Sequence, residues 1–170
     1  MRGEPLPEPG QAASVADDPA VGMPAPVIIG QDFDGRPVRI DAANDGPTMA
    51  VFLAHWCPHC NQEVPWINEL RDAGRFPENL NIVGVSTGFN PGRPNWPPSE
   101  WLRDLDWTYP VIADGIDMEG GGSYIAANAY GLDGFPFIVL IDESGIVTAR
   151  KSGQSEPDDL IQFVEDNLAL

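Results

Sequence analysis

The segment TMAVFLA, Thr48 to Ala54, limits the fold more than any other stretch, because it is apolar at nearly every consecutive position. Such a strand offers an apolar side chain to both faces of its sheet, and both faces must then be covered. NLNIVGVSTG and FPFIVLID have the same character. Between and around them lie stretches with a different period. NQEVPWINELRDAG has helical spacing through Val64, Ile67 and Leu70 and stops at Gly74. PSEWLRDL carries Ser99 at a cap position, TYPVIAD reads as a short strand, and SYIAANAYGL as a helix ending at Gly131. A strand, an ESG turn and the strand IVTARKSG lead into EPDDLIQFVEDNL, an amphipathic helix. Upstream, PVIIGQDFDGRPVRI reads as two strands joined through Asp34-Gly35. The expected class is α/β: a central mixed sheet flanked by helices, with an N-terminal β-hairpin.

A chain of 170 residues fits one domain. Residues 1–22 are rich in Pro, Ala and acidic groups without apolar periodicity, so composition predicts a disordered lead-in or linker, with the folded domain over 23–170. That lead-in lacks the basic start and apolar stretch of a secretory leader. No apolar run approaches the roughly 18 residues of a membrane span. A net charge of −17 argues against nucleic acid or anionic lipid as partner.

All of the chain's cysteines and histidines fall within AHWCPHC, as His55, Cys57, His59 and Cys60. Two thiols three residues apart close too small a loop to staple a domain of this size. Four ligands from six consecutive residues can hardly surround one tetrahedral ion, so no metal is expected. C-x-x-C where a strand hands over to a helix is a redox pattern, and there the physics is specific. At a helix start both sulfurs lie on one side. The first of them faces unpaired backbone N–H groups and the positive end of the helix dipole. Those groups favour the thiolate, which is the attacking species. Pro58 suits the first turn, where its missing N–H costs nothing, and His59 adds a donor or a positive charge. Cys57 is therefore expected to attack and Cys60, deeper in the helix, to resolve. Glu63 lies three residues after Cys60, on the same helix face, where its carboxylate could take a proton from that thiol. His55 reads as a partly exposed residue at the strand end. Four tryptophans, Trp66, Trp96, Trp101 and Trp107, read as packing residues, and DMEGGGSY (117–124) as a glycine-rich connector.

AHWCPHC behind its apolar strand, the later GFPFIVLIDESG and the closing helix resemble the thioredoxin fold. The early hairpin and the insert NPGRPNWPPSEWLRDLDWTYPVIAD are similar to the TlpA/ResA/DsbE-like branch of thiol:disulfide oxidoreductases. The resemblance covers Met23 to Leu170. It implies that Cys57 and Cys60 form a redox-active disulfide without a further cofactor, and that Trp56 shelters the pair. It also implies a cis bond before Pro136, facing the pair, with Phe135 offering backbone groups to a substrate strand. CNQEVP matches the branch's glutamate and following proline at Glu63 and Pro65. The aspartate that ordinary thioredoxins bury on the preceding strand falls at Val51 and is absent. A thiol peroxidase is the nearer rival, but Ala54 stands where peroxidatic sites place threonine.

The resemblance implies substrates that are protein thiols or disulfides, with secreted proteins and apocytochrome c both open. It implies a monomer outside the cytoplasm, anchored or secreted in native form, with a membrane redox partner possible in principle. Direction is a separate matter. Stabilising the thiolate stabilises the reduced protein and makes the disulfide a better oxidant. A fall in the Cys57 pKa from about 8.5 to about 5 would add roughly 2.7 kcal/mol at pH 7, or about 60 mV. The expectation leans to an oxidant, with a reductant of the cytochrome c maturation type as the alternative.

Overall fold

The computed structural model describes residues 1–10, 14–119 and 121–169. Its elements, in chain order, are β1 (Ile28–Gln31), β2 (Pro37–Ile40), α1 (Ala42–Asp45), β3 (Thr48–Leu53), α2 (Pro58–Asp72), β4 (Asn81–Ser86), α3 (Pro98–Asp104) and β5 (Val111–Ala113). They continue with β6 (Ile116–Asp117), β7 (Ser123–Tyr124), α4 (Ile125–Ala129), β8 (Phe137–Ile141), β9 (Val147–Ser152) and α5 (Pro157–Asn167). A single 3₁₀ turn, Val15–Asp17, precedes them.

The sheet runs β5-β4-β3-β8-β9, with β3 at its centre. β4 and β5 run parallel to β3, while β8 is antiparallel to β3 and to β9. Every residue of β3 and β8 is buried, and alternate side chains serve different layers. Met49, Val51 and Leu53 point into one layer with Val64, Ile67 and Leu70 of α2 and Leu160 and Val164 of α5. Ala50 and Phe52 point into the other, with Ile28 and Ile40 of the hairpin and Ala126 and Ala129 of α4. The continuous apolar runs thus resolve into two cores, one on each side of the sheet. The hairpin turns at Gly35 (φ 82°), and Asp32 Oδ1 accepts from the backbone N–H groups of Asp34 and Arg36 to close it.

Two local expectations change. The N-cap of α3 is Pro97 and the helix begins at Pro98, which puts Ser99 inside the first turn; a proline fits at the first helical position because its missing N–H has no partner there. The helix within SYIAANAYGL shrinks to Ile125–Ala129, because Ser123–Tyr124 pair with β6 instead. Its start is capped from outside the segment: Asp114 accepts from Ala126 N at 2.8 Å and Ala127 N at 3.1 Å. Gly120 of the connector lies outside the described residues.

Residues 1–10 and 14–22 lie along the domain, and residues 11–13 of that stretch lie outside the described residues. Arg2 and Val27 exchange backbone hydrogen bonds of 2.9 and 2.8 Å, and Leu6 is buried, with its N–H on Ala129 O at 2.8 Å. Asp18 forms a buried ion pair with Arg150 of β9, Nε to Oδ2 at 2.9 Å and Nη2 to Oδ1 at 2.5 Å. Nη1 of the same guanidinium donates to Tyr130 O at 2.8 Å, so two different partners hold it. Composition cannot register such contacts, because the partners are 132 residues apart.

Candidate active site

β3 ends at Leu53 in the middle of the sheet, and the chain reaches α2 through Ala54, His55, Trp56 and Cys57. Cys57 is the N-cap, with extended backbone (φ −80°, ψ 120°), and Pro58 opens the helix. The Cys60 N–H donates to Cys57 Sγ at 3.3 Å, which spends one orphan donor of the helix start on the sulfur. Both cysteines are buried free thiols, Cys57 4% exposed and Cys60 not at all.

The environment separates them. The Cys57 thiol is lowered from 9.0 to about 6, first by the hydrogen bond from the Cys60 thiol and then by the N–H groups of Cys60 and His59 and the His59 charge; burial opposes these. Cys60 is pushed up, because its proton is held in that hydrogen bond to Cys57 and because burial penalises a second anion. The pair therefore titrates as a unit: a thiolate at 57 supported by a thiol at 60. Sequence reasoning put the helix start and His59 first. The neighbouring thiol outweighs His59, whose charge makes the smallest contribution.

Glu63 is fully buried on the face of α2 that carries Cys60, Val64 and Ile67. Its Oε2 accepts from Ser155 N at 2.8 Å, and its Oε1 has no partner among the described residues. Burial raises its carboxyl from 4.5 to about 7, against the Ser155 N–H and the Lys151 charge. The Glu63 charge in turn helps to raise Cys60. A buried carboxyl near neutrality, on the helix face of a reluctant thiol that feels its charge, can exchange a proton with that thiol.

The remaining expected site residues assemble around this pair. Trp56 is half-buried; its Nε1 donates to Gly88 O at 2.6 Å and its ring stands edge-on to Phe135, with centroids 5.5 Å apart. Gly88 has φ 65° there, and a Cβ would lie 3.4 Å from the Phe135 ring and 3.6 Å from Trp56, so the site is packed against bare backbone. The Phe135–Pro136 bond is cis. Because Phe137 pairs with Phe52, the antiparallel register sets Pro136 at the same sheet end as the cysteines. His59 is exposed, with Nδ1 2.5 Å from Gln154 Oε1.

His55 corrects an expectation. Far from being partly exposed, it is wholly buried. Its Nδ1 lies 2.7 Å from Pro94 O, so this nitrogen carries the proton, and its Nε2 accepts from Asn90 N at 3.2 Å. The Asn95 side chain donates to His55 O at 2.8 Å. The insert loop is thereby laid over the strand end, which carries Arg93 to 5.2 Å above the Trp56 ring. Neither Arg93 nor the stretch Gly153–Ser155 was marked by sequence reasoning. A glutamate at an inward position of an apolar helix face was the one signal that a buried partner had to exist. Among the described residues, no three His, Cys, Asp or Glu side chains converge as a metal site would require. A cleft of about 600 Å³ between the hairpin turn and α3, lined by Phe33 and Trp107, contains neither cysteine.

Comparison with known proteins fits this geometry. The sequence profile of the AhpC/TSA family matches residues 21–150. The chain is 28% identical over 146 residues to thiol-disulfide oxidoreductase ResA of Geobacillus thermodenitrificans, covering 86% of this chain and 77% of that one. It is 28% identical over 151 residues to thiol:disulfide interchange protein DsbE of Escherichia coli, covering 83% and 73%. The thioredoxin domain of a thiol-disulfide oxidoreductase from Bacteroides vulgatus superposes with a TM-score of 0.63 at 25% identity, covering 86% and 96%.

Proposed function

The chain belongs to the AhpC/TSA family, and on that premise we propose that it exchanges disulfides with protein substrates through Cys57 and Cys60, and works as an oxidant. It is a thiol-disulfide oxidoreductase of the ResA/DsbE type with a CxxC pair. The observation that carries the reading is the asymmetry of the pair: an N-cap sulfur held as thiolate beside a thiol that keeps its proton.

In the oxidising direction a substrate thiolate attacks Cys57 Sγ of the Cys57–Cys60 disulfide. The S–S bond breaks, a mixed disulfide forms through Cys57, and Cys60 leaves as a thiolate that takes a proton from Glu63. A second substrate thiolate then attacks the substrate's own sulfur in the mixed disulfide. Cys57 leaves as the stabilised thiolate; the substrate has lost two electrons and the protein has gained them. Trp56 walls the sulfurs off, and the Phe135–Pro136 backbone receives the substrate as an added strand. Pro58 and His59 set the environment of the leaving thiolate. Substrates are secreted proteins or apocytochrome c, met outside the cytoplasm, where disulfides persist.

The stabilised thiolate is worth about 1.4 kcal/mol at pH 7 for a pKa of about 6, or about 30 mV. That is half the figure reached from sequence. The test is the reduction potential of the protein against glutathione. A value of about −240 mV or higher is expected, and a value at or below the roughly −270 mV of thioredoxin would refute the oxidant reading.

A further inference from the structure

Three consecutive residues between β9 and α5 each hold a different residue of the site. Gly153 N donates to Pro136 O at 2.9 Å, Gln154 Oε1 faces His59 Nδ1 at 2.5 Å, and Ser155 N donates to Glu63 Oε2 at 2.8 Å. The three partners come from the cis-proline loop and from two turns of α2. Gly153 has φ 89°, a conformation glycine adopts freely, and it lets successive groups of the turn face separate partners.

We infer that Gly153–Gln154–Ser155 is the positioning clamp of this active site, and that Gln154 adjusts the redox balance of the cysteines through His59. Two of the three contacts are made by backbone N–H groups. Gln154 is the one that acts by its side chain, and hence the one a substitution can address. Its amide oxygen only accepts, so His59 Nδ1 carries the proton in this contact and Nε2 is left free to take a second. When the ring becomes an imidazolium, the Nδ1–H···Oε1 bond becomes charge-assisted and roughly twice as strong. Gln154 therefore fixes the ring beside the helix start, where the positive charge of His59 supports the Cys57 thiolate. Gln154 is a positioning residue; it does not touch the reacting sulfur.

This inference rests on the proposed exchange reaction, and the test separates the two. Gln154→Leu keeps the size and removes the acceptor; both Gln154 and His59 are exposed, so the fold is retained. In the full chain, the equilibrium constant with glutathione should shift about threefold in favour of the protein disulfide, equivalent to about 14 mV. In a His59→Ala chain the same substitution should add nothing. An equal shift in both backgrounds, or no shift in the native one, overturns the inference while leaving exchange itself intact. Failure of the unsubstituted protein to equilibrate with glutathione would overturn both.

Discussion

Replacing Glu63 by glutamine removes a titration while keeping the shape, and its consequences can be worked out from two observations. The carboxyl is raised from 4.5 to about 7, and it is fully buried. For an acid whose native value lies above its unfolded value, the native state holds a proton through that interval which the unfolded chain has lost. Stability therefore falls as pH rises from about 4.5 to about 7. At 1.36 kcal/mol per pKa unit the loss is about 3 kcal/mol, complete above pH 7. The Glu63→Gln chain would have no such loss. The amide it introduces would bring N–H groups into a site where Oε1 already lacks a partner, at a cost of about 1–3 kcal/mol that does not depend on pH. The absolute stability of the variant is thus a balance, but its pH dependence is not. Denaturant unfolding of reduced protein, followed by tryptophan fluorescence, should show the variant gaining about 3 kcal/mol relative to the native chain between pH 4.5 and 8. The same substitution should slow exchange with a peptide disulfide at pH 8 by on the order of 10², the usual worth of a placed proton acceptor. A stability difference that stays flat with pH would refute the buried, ionising carboxyl. An unchanged exchange rate would refute its part in proton transfer.

Cys60→Ser should accumulate a mixed disulfide through Cys57, whereas Cys57→Ser should accumulate none, as non-reducing electrophoresis would show; the reverse pattern would exchange their assigned roles. Asp18→Asn should destabilise the protein by about 3–5 kcal/mol in equilibrium unfolding, because it leaves the Arg150 guanidinium buried without its counter-ion. A loss below about 1 kcal/mol would mean that the N-terminal stretch contributes little to the fold.

The sheet was legible because β3, β4 and β8 are short apolar runs bounded by turn residues, and local period is enough to read them. The cysteine pair was legible because its spacing and its place after a strand are local too. What escaped notice depends on contacts between distant positions. His55 is buried by Asn90 and Pro94, 35 and 39 residues away, and no property of its own neighbourhood announces that loop. Gln154 and Ser155 meet His59 and Glu63 across 95 and 92 residues. Even the ranking of causes at Cys57 depended on distance: the sulfur of Cys60 is near enough to outweigh a histidine charge one position closer in sequence.

The central claim is that Cys57 stands as a thiolate at neutral pH. Titration of the thiolate absorbance of the reduced protein measures this directly. One sulfur should ionise with a midpoint of about 6, and the second should stay protonated throughout the neutral range. Two groups ionising together near 9.0, the ordinary thiol value, would contradict it.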